Sequence, residues 1–171
     1  MDSSSKPTAK ASNPQDGPSM DWHKELESRV RSIYAAVEAK KYDTVLALWS
    51  EDGTHRFGGN HALGGSRRGV ALLEQWYHRL GRLQPDLKLT VRDVWITGTP
   101  EDTAGFVRWD STASTPSGRL MYNHGLDYTR MCQGKIIEQD KLNDSQAVAD
   151  LLEEKFRSGE TEAGAKPIVS G

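Results

Sequence analysis

Cysteine is almost missing from this chain: Cys132 stands alone among 171 residues, so no intramolecular disulfide can form. Such usage suits a reducing compartment, and the cytoplasm is the expected location. Long apolar runs are missing too. No segment approaches the roughly 20 consecutive apolar residues that span a bilayer, so no membrane association is expected. A basic excess is also absent, with 22 Lys and Arg against 24 Asp and Glu and a net charge of -2. Without a basic run to follow a phosphate backbone, nucleic acid is not an expected partner. The five histidines form no HxH or HExxH pairing and no CxxC exists, which argues against a metal site. The run GGNHALGG is not followed by GK[ST] and does not follow a long parallel strand, so nucleotide binding is rejected. No cofactor is expected.

What remains is one domain of about 130 residues between two polar ends. Residues 1–20, rich in Ser, Pro, Lys and Asn, lack the apolar stretch of a secretory signal and read as a disordered tail. Residues 21–157 carry the domain pattern, and 158–171 read as a flexible tail. From Asp21, the residues Trp22, Leu26, Val30, Ile33, Tyr34 and Val37 form an apolar stripe at helical spacing. A short helix with Val45, Leu48 and Trp49 follows, then a brief strand near Thr54 to Phe57 and a glycine-rich loop expected to form a mobile rim. Val70, Leu73, Trp76, Tyr77 and Leu80 restore a helix that ends near Gly81 and Pro85.

After Pro85 the period changes to two. Leu87, Leu89 and Val91 fall on odd positions but Val94 and Ile96 on even ones, a switch that a β-bulge at Arg92 and Asp93 explains. Strands over 103–113, 119–131 and 135–142 follow, and a last helix begins after Asp144. The expected fold is therefore α+β: a cone-shaped, strongly curved, mostly antiparallel sheet packed against three to four helices, with a pocket inside.

This element order, with the turn GKIIE at 134–138 and the closing Asp144, resembles the SnoaL-like branch of the nuclear transport factor 2-like (NTF2-like) superfamily over about Trp22 to Leu152. The superfamily contains polyketide cyclases, ketosteroid isomerases, scytalone dehydratases, limonene epoxide hydrolases and silent binding modules. Arg108-Trp109-Asp110 resembles the Arg-x-Asp element that limonene epoxide hydrolases carry on a pocket strand. Their second carboxylate, and that of SnoaL-type cyclases, falls on Lys141 here. The hydrolases' other water-holding positions fall on His55 and Phe57, and the cyclases' partnering His falls on Asp127. The acid side of the hydrolase machinery is thus matched and the base side is not.

Period alone reads Arg108 and Asp110 as a solvated ion pair, whereas the family register points both into the cone and Trp109 outward. On that register Asp110 transfers a proton, Arg108 and Lys141 stabilise charge on oxygen, and Asp127 and His55 are reserve acid–base groups. Phe57, Trp76, Met121 and Asn123 are candidate substrate contacts, though aromatics and Met at such spacing also serve as plain core. The resemblance implies a cofactor-independent enzyme acting on an apolar, oxygenated natural product of polyketide or terpenoid type, by acid–base cyclisation, isomerisation or epoxide opening. The competing reading is a non-catalytic binding or dimerisation module on the same cone. The resemblance also implies a homodimer through the convex sheet face.

Overall fold

The computed structural model describes residues 20–171; the expected tail over 1–20 lies outside the described residues except at Met20. Helix α1 (Met20–Glu38) and the short α2 (Tyr42–Leu46) lead into β1 (Trp49–Phe57) and β2 (Gly65–Arg68). Helix α3 (Val70–Leu83) precedes four consecutive strands, β3 (Lys88–Gly98), β4 (Asp102–Ser114), β5 (Leu120–Cys132) and β6 (Lys135–Asn143), and α4 (Ser145–Arg157) follows. The six strands form one sheet in the order β2-β1-β6-β5-β4-β3. All neighbours are antiparallel except β1 and β6. The mixed α+β cone expected from the pattern is the fold observed.

Helices α1 and α3 bury the face their spacing marks, whereas Leu48 and Trp49, expected in the short second helix, lie beyond α2, with Trp49 opening β1. In α3 the buried residues Leu73, Trp76, Tyr77, Leu80 and Leu83 recur every three or four positions, and they join Tyr42, Val45, Trp49, Phe57 and Val148 in the main core. Helix α4 starts where Asp144 accepts a bond from Ala147 N–H at 3.2 Å, satisfying a free amide of the first turn. The register shift in β3 falls between Val91 and Asp93, where the switch of apolar phase placed it. It lets Leu89, Val91 and Val94 all pack with Tyr34, Val107 and Trp109 beneath α1.

Two expectations are corrected. The glycine-rich run is not a mobile rim: β2 pairs with β1, Ala62 and Leu63 are fully buried, and Leu63 O accepts from Trp76 Nε1 at 2.7 Å. The segment 158–171 is not a loose tail. A 3-10 turn (Thr161–Gly164) brings Glu162 against Arg79 and Arg82, Ile168 packs on the main core, and Ile168 O accepts from Arg67 Nε at 2.9 Å. Ser170 then bonds β2 twice, donating its N–H to Ser66 O and accepting at Oγ from Arg68 N–H. Too few apolar residues mark this segment for a sequence pattern to show it, and its anchors are mostly polar: the Glu162 ion pairs, the Ser170 bonds and backbone carbonyls, with only Ala163 and Ile168 on the core. At the opposite margin of the sheet, Glu38 accepts from Leu89 N–H and Arg31 donates to Val91 O.

Candidate functional site

A cavity of about 60 Å³ opens between α1, α3 and the inner face of the sheet. Aliphatic and aromatic side chains line most of it, including Ile33, Val37, Phe57, Trp76, Leu80 and Trp109. Into this apolar wall are set Tyr34, Gln84, Ser111, Asn123, Gln139 and Lys141. A few polar groups converging in a mostly apolar hollow is the usual make-up of a small-molecule site.

The electrostatic centre is Asp127, which is fully buried. On β5 and β6, Asp127 and Lys141 face each other directly, and the Lys141 ammonium donates to Asp127 Oδ2. The Tyr34 hydroxyl donates to the same oxygen from α1, and Trp109 Nε1 donates to Oδ1 at 2.7 Å from β4. Lys141 Nζ also lies 5.2 Å from the centre of the Tyr34 ring, within cation–π range. Burial, reinforced by the Asp127 charge and hydrogen bond, pushes the Tyr34 hydroxyl well above its ordinary pKa. Tyr34 therefore stays protonated and acts as a fixed donor.

Glycine makes this convergence possible. Gly125 stands opposite Trp109, and a Cβ there would lie 2.5 Å from the Trp109 ring and 2.4 Å from Leu142 O. Without it, the indole crosses β5 closely enough to reach Asp127. Further along β5, Asn123 Oδ1 accepts from the His124 and Asp144 amides at 2.7 and 3.1 Å. The amide is thereby oriented, and its Nδ2 is the group left to face the cavity it lines.

The sequence-predicted residues divide into three groups. Lys141 and Asp127 meet in the ion pair, and Phe57, Trp76 and Asn123 line the cavity. Arg108 and Asp110 point the other way, onto the outer face of the sheet, while Trp109 points in with only 4% exposure. There Arg108 Nε donates to Asp93 at 2.6 Å and Arg92 Nε donates to Asp110 at 2.5 Å. The Arg92 bond holds the Asp110 carboxyl below its ordinary pKa, with Tyr122 adding a second bond. The expected phase is thus reversed, because period two puts apolar Val107 and Trp109 on the core side and their charged neighbours in solvent.

His55 and Met121 also lie elsewhere. Met121 packs with Ala113 and Leu151 beneath α4 and is not among the cavity's side chains. His55 lies within β1, in the strand expected near Thr54 to Phe57, and is completely buried against Trp76, 4.5 Å between ring centres. Desolvation, then the nearby Arg67 and Lys141 charges, hold its pKa well below 6.5. The ring is neutral, and its Nδ1 accepts from Arg67 at 2.6 Å. Arg67 is itself buried and donates to the carbonyls of Gly64, Gly65 and Ile168, with its guanidinium 5.1 Å from the Trp76 ring centre. Burial lowers its pKa to about 10, so it remains charged at neutral pH.

Sequence reading passed over Tyr34, Trp109, Ser111, Gln84 and Gln139. Only Tyr34 carried a signal, since a tyrosine inside an otherwise aliphatic helical stripe requires a buried acceptor for its hydroxyl. Among the described residues, no three His, Cys, Asp or Glu side chains converge in an arrangement that would hold a metal ion. Likewise, no described helix is long and apolar enough to cross a membrane.

Several solved structures share the fold. PrhC from Penicillium brasilianum superposes with a TM-score of 0.67 over 82% of this chain and 93% of its own, at 12% identity. Bal32a, from a soil-derived mobile gene cassette, gives 0.63 over 75% and 96%, at 18% identity. TerC, co-crystallised with polyporic acid, gives 0.58 over 72% and 95%, at 16% identity. No curated protein sequence matches the chain. The family model described as SnoaL-like domain matches residues 30–139, a span that holds Tyr34, Trp109, Asn123, Asp127 and every strand of the cone up to the middle of β6. With the NTF2-like cone and this match together, the chain belongs to the SnoaL-like family.

Proposed function

We infer that the protein is a cofactor-independent enzyme that binds an apolar, oxygenated small molecule in the cone and performs acid–base chemistry on it. The observation that carries this reading is Lys141: a cation held by buried Asp127, 14% exposed and among the residues that line an apolar cavity. An ammonium in such surroundings stabilises negative charge developing on a substrate oxygen far better than it would in water.

The reaction class that fits is cyclisation, isomerisation or epoxide opening. Lys141 donates a proton to an epoxide or carbonyl oxygen as an internal hydroxyl attacks carbon or an adjacent C–H bond breaks, and the neutral amine so formed takes up the proton that this hydroxyl or carbon releases, which restores the ammonium. Asn123 Nδ2 and the Ser111 hydroxyl supply further polar contacts on the same wall. Asp127 keeps Lys141 in place and is in turn fixed by Tyr34 and Trp109. In this scheme the proton donor is Lys141, because Asp110 lies outside the cone. The aromatic walls suit a ring-containing natural product of polyketide or terpenoid type, and the co-crystallisation of TerC with polyporic acid lends that class support.

The test is turnover followed by mass spectrometry with oxygenated terpenoid epoxides and aromatic polyketide esters, comparing wild type with Lys141→Met and Asn123→Ala. The reading predicts conversion by wild type and at least a hundredfold loss in Lys141→Met. Equal turnover in both would remove Lys141 from the mechanism. Binding without turnover would favour the non-catalytic binding module.

The outer face of the sheet supports a dimer. Trp95, Phe106, Tyr122 and Leu142 are all more than one-third exposed there, and Phe106 stacks against Tyr128 with 5.3 Å between ring centres. A cluster of this kind, crossed by the Arg92–Asp110 and Arg108–Asp93 pairs, supports self-association through this face.

A further inference from the structure

The cone holds a second cavity, of about 50 Å³, in line with the first. Leu26 and Val30 of α1 roof it, and Val94, Ile96, Val107 and Met131 line its floor and sides. Ile33, Tyr34 and Gln139 border both cavities and form the wall they share. Asp127 lies between Asn123 of the first chamber and Thr129 of the second along β5. The shared wall therefore lies beside the ion pair.

Their chemistry differs. The first presents Lys141, Asn123, Ser111 and Gln84, whereas the second has Arg29 as its one charged lining residue, exposed at the outer end. Most polar atoms that reach the second chamber are engaged: Gln139 Nε2 donates to Thr129 Oγ1 at 3.0 Å, Thr103 Oγ1 donates to Thr99 O at 2.6 Å, and the Tyr34 hydroxyl donates to Asp127. Its remaining lining is mostly aliphatic. Gly105 adds to the open space: a Cβ there would meet nothing closer than Trp95 O at 3.4 Å, so a side chain is allowed where none is present.

Size points the same way. A water position needs roughly 10–15 Å³, so each chamber holds about four or five water-sized groups and the two together about nine. Along α1, Leu26 of the second chamber and Val37 of the first are separated by about 16 Å at 1.5 Å per residue. A saturated chain advances about 1.3 Å per zigzag bond, given C–C bonds near 1.5 Å, so a chain of about eight carbons, roughly 9 Å long, lies within that span and fills both chambers with a small head.

We propose that the substrate is amphiphilic, with an oxygenated head at Lys141 in the first chamber and an uncharged alkyl or isoprenoid chain that enters the second by parting the side chains of Ile33, Tyr34 and Gln139. This deepens the enzymatic reading and rests on its placement of the head group. The chain supplies binding free energy and fixes which carbon of the head faces Lys141, so chamber length sets specificity.

The experiment is a series of 1-alkanols from 1-butanol to 1-decanol titrated against the full chain, read by the fluorescence change of the tryptophans that line the first chamber. Burying each added methylene should tighten binding about fourfold, and in wild type the gain should continue to about eight carbons. In Gly105→Leu, which fills the second chamber, short alcohols should bind as in wild type while the gain stops beyond about five carbons. Should that variant fail to fold, Leu26→Trp at the chamber's outer end gives the same comparison. A wild-type gain that already stops at about five carbons, or an undiminished gain in both variants, would overturn the proposal. Lys141→Met separates the two readings. If it abolishes turnover while the wild-type length series is flat, the chain-binding chamber is refuted and the catalytic reading stands. A full length series with turnover unaffected by Lys141→Met leaves the chamber standing and refutes the catalytic one.

Discussion

Lys141 and Asp127 are direct cross-strand neighbours whose ion pair is closed on the protein side by Tyr34 and Trp109 and open on the other side to an apolar cavity. Removing one member of a buried pair strands the other's charge, at a cost of about 3–5 kcal/mol. Lys141→Met should therefore lower stability by about that much in urea unfolding, and Asp127→Asn similarly. The double variant should lose clearly less than the sum, and strict additivity would show that the two do not interact.

Gly125→Ala should be nearly as damaging although it adds a single methyl. The added Cβ meets the Trp109 ring and a fixed backbone carbonyl, so about 2–3 kcal/mol of stability should be lost. A second readout is tryptophan fluorescence, which should shift as the Trp109 indole leaves Asp127. An unshifted spectrum would mean that Trp109 holds its place by other contacts.

How far the sequence reveals this site depends on phase. Helix faces, the bulge at Arg92 and the start of α4 at Asp144 all follow from periodicity and capping, and the structure has them in place. The Arg108-Trp109-Asp110 motif shows the limit. Plain alternation of Val107 and Trp109 with charged neighbours already gives the observed phase, and a motif match three residues long outweighs it only by analogy with another family member. Strand β6 is harder, since both of its faces mix polar and charged residues. Lys141 turns inward because Asp127 lies opposite it, a pairing visible only once β5 and β6 are in register.

His55 gives the protein an acid sensitivity whose sign is fixed by burial. Its folded-state pKa is depressed, while the unfolded chain takes up a proton near pH 6.5. The unfolded state thus binds more protons as pH falls, and stability should drop below about pH 6.5 by up to about 1.4 kcal/mol per unit until the folded-state value is reached. His55→Asn keeps an acceptor for Arg67 and should flatten this part of the profile in parallel denaturant titrations. An identical slope would assign the effect to other groups.

The C-terminal segment should behave as part of the domain. Deleting 166–171 removes Ile168 from the core and one carbonyl acceptor from the buried Arg67 guanidinium. A hydrogen bond to a charged group contributes about 1.5–3 kcal/mol, so the truncation should lower the thermal midpoint by several degrees. An unchanged midpoint would show that these contacts contribute nothing.

Association through the outer sheet face is tested by Phe106→Arg. Sedimentation should show a dimer for wild type and a monomer for the variant, with folding intact because Phe106 is 38% exposed. A dimer in both would place the interface elsewhere.

The pairing of Ser170 with β2, together with the Glu38 and Arg31 bonds to β3, carries a consequence for how copies of this protein can meet. Main-chain groups of β2 and of the first half of β3 are already engaged, so these stretches offer no bare template on which another chain could add a strand. That favours the proposed contact between side chains on the sheet's broad face, which a two-fold axis can close, over open-ended strand addition there.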